Sequence, residues 1–128
     1  MLRIVAGQLG GRRIAAPSGG RTRPTREVVR EAWFNALGAR IVGARVADLF
    51  AGSGALGIEA WSRGARHVDF VERAGRAVGV LRRNLEDLEI EDACTVHHRD
   101  VGGYLDAAAQ HGEVYDVALA DPPYASDW

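Results

Sequence analysis

From residue 45 to residue 120 the chain alternates short apolar runs with stretches of helical spacing, and that alternation limits the possible folds more than any other feature. Residues 46–50, 67–72, 94–99 and 114–120 read as strands. Between them, helices are expected from the glycine-rich turn to about residue 63, closed by Gly64, then over 74–88, then from 101 to about 110. In the middle one, Ala74, Ala77, Val78, Leu81, Leu85 and Leu88 share a face, although Gly75 and Gly79 lower its helicity. Strand and helix in strict succession imply right-handed crossovers and a parallel sheet covered on both faces, so the class is α/β and Rossmann-like. With 128 residues, one real core can form.

The front of the chain differs. Residues 1–45 hold nine arginines against Glu27 and Glu31, whereas the remainder holds seven arginines against fifteen acids, so a net charge of −1 conceals a basic front and an acidic body. Every basic residue is arginine, the side chain that binds phosphate bidentately and stacks on bases. The asymmetry points to a polyanion-facing front end, set against a merely solvated charged face. Residues 3–6 and 12–16 read as a small hairpin around the turn-prone 8–11, residues 17–24 as a linker, and Thr25 as the cap of a helix that Gly38 stops. The expected division is 1–24, a basic hairpin and linker facing a polyanion, and 25–128, the α/β domain. Neither a signal peptide nor a membrane span is legible, so a cytoplasmic protein is expected. Cys94 stands alone and reads as a small buried hydrophobe, and His97, His98 and His111 lack a ligand-like pattern, so no metal is assigned.

Two motifs carry chemistry. In the stretch 48–57, Gly52, Gly54 and Gly57 spell G-x-G-x-x-G between an expected strand and an expected helix, where bare backbone lets a ligand approach a helix N-terminus. Glu72, twenty residues after Gly52 at the next strand end, can accept from ribose hydroxyls. NAD and S-adenosylmethionine both fit these features. Asp48 favours the second, because a carboxylate serves a ligand bearing an amino group and repels a pyrophosphate, though a capping role is equally open to it. Asp100 can accept from an adenine amino group or cap the following helix. The second motif is Asp121-Pro122-Pro123-Tyr124, after the fourth strand and on the same carboxyl edge. Paired prolines offer carbonyls without N–H donors, so a planar amine can donate to Asp121 and the Pro122 carbonyl while Tyr124 stacks on its ring.

The tetrad resembles the Asp/Asn/Ser-Pro-Pro-aromatic signature of S-adenosylmethionine-dependent amino methyltransferases. The whole chain, through residues 3–7 with 11–13, 23–25 with 29–35, 48–60 and the tetrad, resembles the bacterial RsmD family of 16S rRNA (guanine-N2)-methyltransferases. That resemblance implies a class I methyltransferase fold with a small N-terminal β-hairpin and S-adenosyl-L-methionine as cofactor. Its partner would be 16S rRNA or the small ribosomal subunit, and its full-length form a monomer. Carried over by position, Asp48, Phe50, Ala51, Gly52, Ser53, Gly54, Gly57, Glu72, Arg73, Asp100 and Val101 hold the cofactor, and Asp121, Pro122, Pro123 and Tyr124 grip the guanine. Arg3, Arg12, Arg13, Arg21, Arg23 and Arg26 contact RNA. Another amino methyltransferase, acting on a different base or on protein glutamine, is the alternative. Family members continue beyond the tetrad with further strands, so a C-terminal part is expected to be missing, leaving an apolar sheet edge prone to self-association.

Overall fold

A computed structural model of the chain describes residues 2–16 and 27–122. Thr25, Arg21, Arg23, Arg26, Pro123 and Tyr124, all singled out above, lie outside the described residues. Strand β1 (Leu2–Arg3) pairs antiparallel with β2 (Arg13–Ile14), and helix α1 (Glu27–Leu37) follows. Then come β3 (Arg45–Leu49), α2 (Ala55–Ser62), β4 (His67–Glu72), α3 (Gly75–Asp87), β5 (Cys94–His98), α4 (Val101–Gln110) and β6 (Val117–Ala120). The four later strands form one parallel sheet in the order β5-β4-β3-β6. The chain thus steps outward from β3 through β4 to β5 and returns to the other side of β3. The reversal opens a crevice at the carboxyl ends of β3 and β6, where sheets of this kind bind ligands.

Helix α2 explains why the core is single. Seven of its eight residues are buried, including Glu59 and Ser62, so it is enclosed on all sides. The sheet covers one side and the N-terminal hairpin the other, with Ile4, Leu9 and Ile14 joining the common hydrophobic cluster. Burial of such side chains contributes about 2 kcal/mol each. The hairpin strands are shorter than their apolar runs suggest. The amides of Val5 and Ala6 donate to Glu59 Oε1 and Oε2 at 2.9 and 3.1 Å instead of to a partner strand. Leu9 N–H donates to Ser62 Oγ at 2.8 Å, and the Ser62 hydroxyl donates to the Ala6 carbonyl at 2.6 Å.

The last strand is also shorter than the run 114–120. Asp116 leaves the ladder because its carboxylate accepts from Arg45 N–H at 2.8 Å, while its own N–H donates to the Arg45 carbonyl at 2.9 Å. Tyr115 instead lies under the Arg45 guanidinium, 4.5 Å from its ring centre. Helix α1 ends where Gly38 turns left-handed, at φ 55°, and a short 3-10 turn carries the chain to Ile41. Packing of α2 on the sheet depends on Gly57, where a Cβ would lie 2.3 Å from Phe70 Cε1 and 2.8 Å from Val68 Cγ1. Gly57→Ala is therefore expected to destabilise the fold by about 2 kcal/mol. Urea unfolding measures this as a lower midpoint at unchanged slope; an unmoved midpoint would contradict the packing.

Candidate active site

The site begins where β3 ends. Leu49 stands in register with Val71 of β4 and Ala120 of β6, so the residues that follow these three strands emerge side by side. Phe50 leaves the strand in the left-handed region, at φ 58°, a conformation that strains a bulky residue by about 1 kcal/mol or more. Ala51 N–H still reaches the Val71 carbonyl at 3.0 Å, and Gly54 N–H closes the turn onto the Ala51 carbonyl at 2.8 Å. Gly52 has φ 58°, and a Cβ built on it would meet nothing within 4 Å. The backbone at Gly52 therefore faces open space, available to a ligand.

Two carboxylates hold this turn. Asp48 is almost completely buried, and its Oδ2 accepts from Gly57 N–H at 2.9 Å. It thereby supplies the first turn of α2 with the acceptor that its cap residue, Gly54, cannot provide. Burial pushes the Asp48 carboxyl well above the usual carboxylate range, the Gly57 amide pulls against that, and the charges of Glu72 and Asp121 push it further up. Glu72 takes Gly52 N–H on one oxygen and Ala74 N–H on the other, both at 2.8 Å, tying the glycine loop to the start of α3. Asp121 and Pro122 follow β6 directly.

A raised folded-state pKa means that the stabilising contribution of Asp48 is complete at acid pH and is lost as pH rises through that pKa. Asp48→Asn keeps an acceptor for Gly57 without the charge, so it is expected to melt at higher temperature than the parent at neutral pH. The gap should close as pH falls toward the ordinary carboxylate range. Thermal melts across pH decide this, and parallel curves for the two proteins would refute it.

The structure brings most of the sequence-derived residues to one edge. Asp48, Phe50, Ala51, Gly52, Ser53, Gly54 and Gly57 lie at or just after the end of β3, and Glu72 and Arg73 at the end of β4. Asp100 and Val101 follow β5, and Asp121 and Pro122 follow β6. Asp100 does cap α4, accepting from Gly103 N–H at 2.8 Å. The arginines divide. Arg12 and Arg13 are exposed. Arg3 is held by Glu27 through two hydrogen bonds of 3.0 and 3.2 Å. Arg30 and Arg45, counted above in the basic front, turn inward: Arg30 is fully buried against Glu59 at 3.1 Å, and Arg45 pairs with Asp69 and Glu113.

Two of the buried polar residues that escaped the sequence reading join separate elements. Glu59 gathers Val5, Ala6, Arg30 and Arg63. Asn84 accepts from Ala15 N–H at 3.0 Å and donates to the carbonyls of Ala15 and Ser53 at 2.9 and 3.1 Å, joining the hairpin to the glycine loop. Their signal was a polar residue on an apolar helix face: Asn84 falls between Leu81 and Leu85 on the buried side of α3. On the sheet's other face, Asp69 receives His97 Nε2 at 2.9 Å. Burial raises its pKa, but the His97 hydrogen bond and neighbouring His67 and Arg45 hold it below the ordinary value. Cys94 is partly buried on β5, and burial pushes its thiol up to about 12. No helix among the described residues is long and apolar enough to cross a membrane.

Comparison with known proteins identifies the family. A family model described as conserved hypothetical protein 95 matches residues 2–128. The Bacillus subtilis protein YlbH, whose name carries the words rRNA methyltransferase, is 42% identical over 96% of the chain and 67% of its own length. Ribosomal RNA small subunit methyltransferase D of Escherichia coli is 37% identical over 96% of the chain and 60% of its own length. A solved hypothetical protein of Thermus thermophilus superposes with a TM-score of 0.88 at 34% identity, covering 99% of the chain and 72% of its own. The chain thus spans about three-fifths to two-thirds of the length of those curated relatives. With the family model matched over residues 2–128 and curated relatives 37% and 42% identical, the chain belongs to this family, the RsmD family that its sequence motifs resemble.

Proposed function

We propose that the chain is the cofactor-binding and base-gripping part of a cytoplasmic S-adenosyl-L-methionine-dependent methyltransferase that acts on the exocyclic N2 amino group of a guanine in 16S rRNA. The observation that carries this reading is the Glu72 carboxylate, which accepts from the Gly52 and Ala74 amides beside the open backbone of Gly52, with Asp48 and Asp121 near enough for their charges to act on each other. Three carboxylates favour a ligand that carries positive charge and hydroxyl or amino donors, and they repel a pyrophosphate. The names of the relatives point the same way: the Escherichia coli protein is called a small-subunit rRNA methyltransferase.

The cofactor supplies a methyl group activated by a sulfonium. The protein's residues position it and its target. Asp48 and the glycine loop receive the amino-acid end, Glu72 the ribose, and Asp100 with Val101 the adenine. Asp121 and the Pro122 carbonyl accept hydrogen bonds from the two N–H groups of the guanine amino group, which favours electron density on nitrogen and stabilises the charge developing there, and the surplus amino proton is then released to solvent. Tyr124 stacks on the base and Pro123 holds the turn. Orientation of this kind supplies several kcal/mol of the barrier. Residues 1–24 face the RNA and 25–128 hold the cofactor.

Calorimetric titration with S-adenosylhomocysteine, with NAD as control, tests the cofactor assignment; transfer of labelled methyl from S-adenosylmethionine to unmodified small subunits, followed by nucleoside analysis, tests the substrate. The expected results are binding of the first ligand alone and a product of N2-methylguanosine. Binding of NAD, or a methyl group on any other atom, would overturn the assignment.

A further inference from the structure

The charges on the exposed face of α3 run against the helix that carries them. Its first turn holds Arg76 and no acid, and its last turn holds Glu86 and Asp87 and no base, the reverse of what the helix dipole favours. Between Arg76 and Arg83 lies Gly79. Glycine is among the weakest helix formers, yet Gly79 does not have a left-handed φ, and a Cβ there would touch nothing within 4 Å. Neither the backbone nor the packing of the described residues calls for glycine at that position. Arg76 and Arg83 are exposed, and neither forms an ion pair among the described residues. Three features of one helix face thus work against its own stability, which is intelligible if that face meets something outside the fold.

Position tells what it meets. At about 100° per residue, Arg76 and Arg83 lie on the flank nearer Asn84, whereas Arg82 points almost directly away from it. Asn84 holds Ala15 and Ser53, so this flank adjoins the end of the hairpin, with the exposed Arg13 on its second strand, near Glu27 of α1, and the exposed Arg12 just before it. The first turn of α3, with Arg76, begins beside Glu72 at the cofactor edge. We propose that Arg12, Arg13, Arg76 and Arg83, with Gly79 open between the last two, form one track for a sugar-phosphate strand of the RNA substrate. The track runs from the hairpin along α3 to the carboxyl edge of the sheet. Guanidinium groups bind phosphate in a bidentate manner, and the missing side chain at Gly79 lets the strand approach the helix backbone. The inference rests on RNA being the substrate, and it extends the substrate surface beyond the hairpin to a helix.

The test is binding of the chain to an unmodified transcript of small-subunit rRNA across a salt series, with S-adenosylhomocysteine calorimetry on the same samples. Arg76→Ala combined with Arg83→Ala is expected to lower affinity about tenfold and to reduce the slope of log K against log salt by about 2 units. Arg82→Ala should leave that slope unchanged. Gly79→Gln, a better helix former, is expected to raise the melting temperature and yet weaken RNA binding, a divergence that a purely structural glycine would not produce. Parental slope and affinity in the double variant would overturn the track, as would parental RNA binding by Gly79→Gln. Failure of the parent chain to bind the transcript would also overturn it, and the calorimetry then shows separately whether the cofactor assignment survives.

Discussion

Replacing Asp121 by Ala is expected to slow methyl transfer about a thousandfold while binding of S-adenosylhomocysteine survives. Asp121 follows Ala120, which stands opposite Leu49 in the sheet, so it leaves the sheet from the end of β6 rather than from the glycine loop. Its charge nevertheless reaches Asp48. Removing it leaves the backbone amides of the loop and the Glu72 clamp in place, which is why cofactor affinity is retained. On the proposed function, what disappears is the acceptor for the amino N–H groups of the base. Asp121→Asn keeps a carbonyl acceptor and should fall between the parent and the alanine variant. Single-turnover rates with excess enzyme measure this without interference from product release. Parental turnover by Asp121→Ala would remove Asp121 from the mechanism.

The second large effect concerns stability. Arg30→Met is expected to cost about 3–5 kcal/mol, a sizeable share of the roughly 5–15 kcal/mol that holds a domain together. Arg30 is fully buried, donates from Nη1 to Glu59 at 3.1 Å and from Nη2 to the Arg3 carbonyl at 2.8 Å, and so bridges α1, α2 and the hairpin. Its loss leaves Glu59 buried with only Arg63 and the Val5 and Ala6 amides to offset its charge. Burial lowers the pKa of Arg30, opposed by Glu59 and Glu27, and a guanidinium is effectively always charged in proteins. Arg12→Ala, at an exposed position of the same basic stretch, should change stability by no more than about 0.5 kcal/mol. Denaturant midpoints, together with hydrogen exchange at the Val5 and Ala6 amides, check both variants. Equal midpoints for the two would show that the buried pair does not hold the hairpin.

Much of the site was legible because its parts are local. The spacing of Gly52, Gly54 and Gly57 after an apolar run, and the acid twenty residues on, identify a strand, a turn and a helix within a single stretch of chain. The structure adds a distinct reason for each end of the motif: Gly52 leaves space open, while Gly57 admits Phe70. Asp48 left two readings open, ligand acceptor or cap. Its bond to Gly57 establishes the second without removing the first, since that bond engages one carboxylate oxygen. The basic front was legible only as a count. Arginine at positions 12 and 30 looks the same in the sequence, yet one is exposed and the other wholly buried.

By itself the sequence determined the alternation of strands and helices, the glycine turn and the family, because periodicity, turn chemistry and motif spacing act within a few residues of one another. Only the tertiary structure decided the strand order β5-β4-β3-β6, the inward turn of Arg30 and Arg45, and the union of hairpin, α3 and glycine loop at Asn84. The physical reason is distance along the chain. Arg30 meets Glu59 across 29 residues and Asn84 meets Ala15 across 69. No local pattern encodes which polar groups must satisfy one another once α2 is enclosed and water is gone.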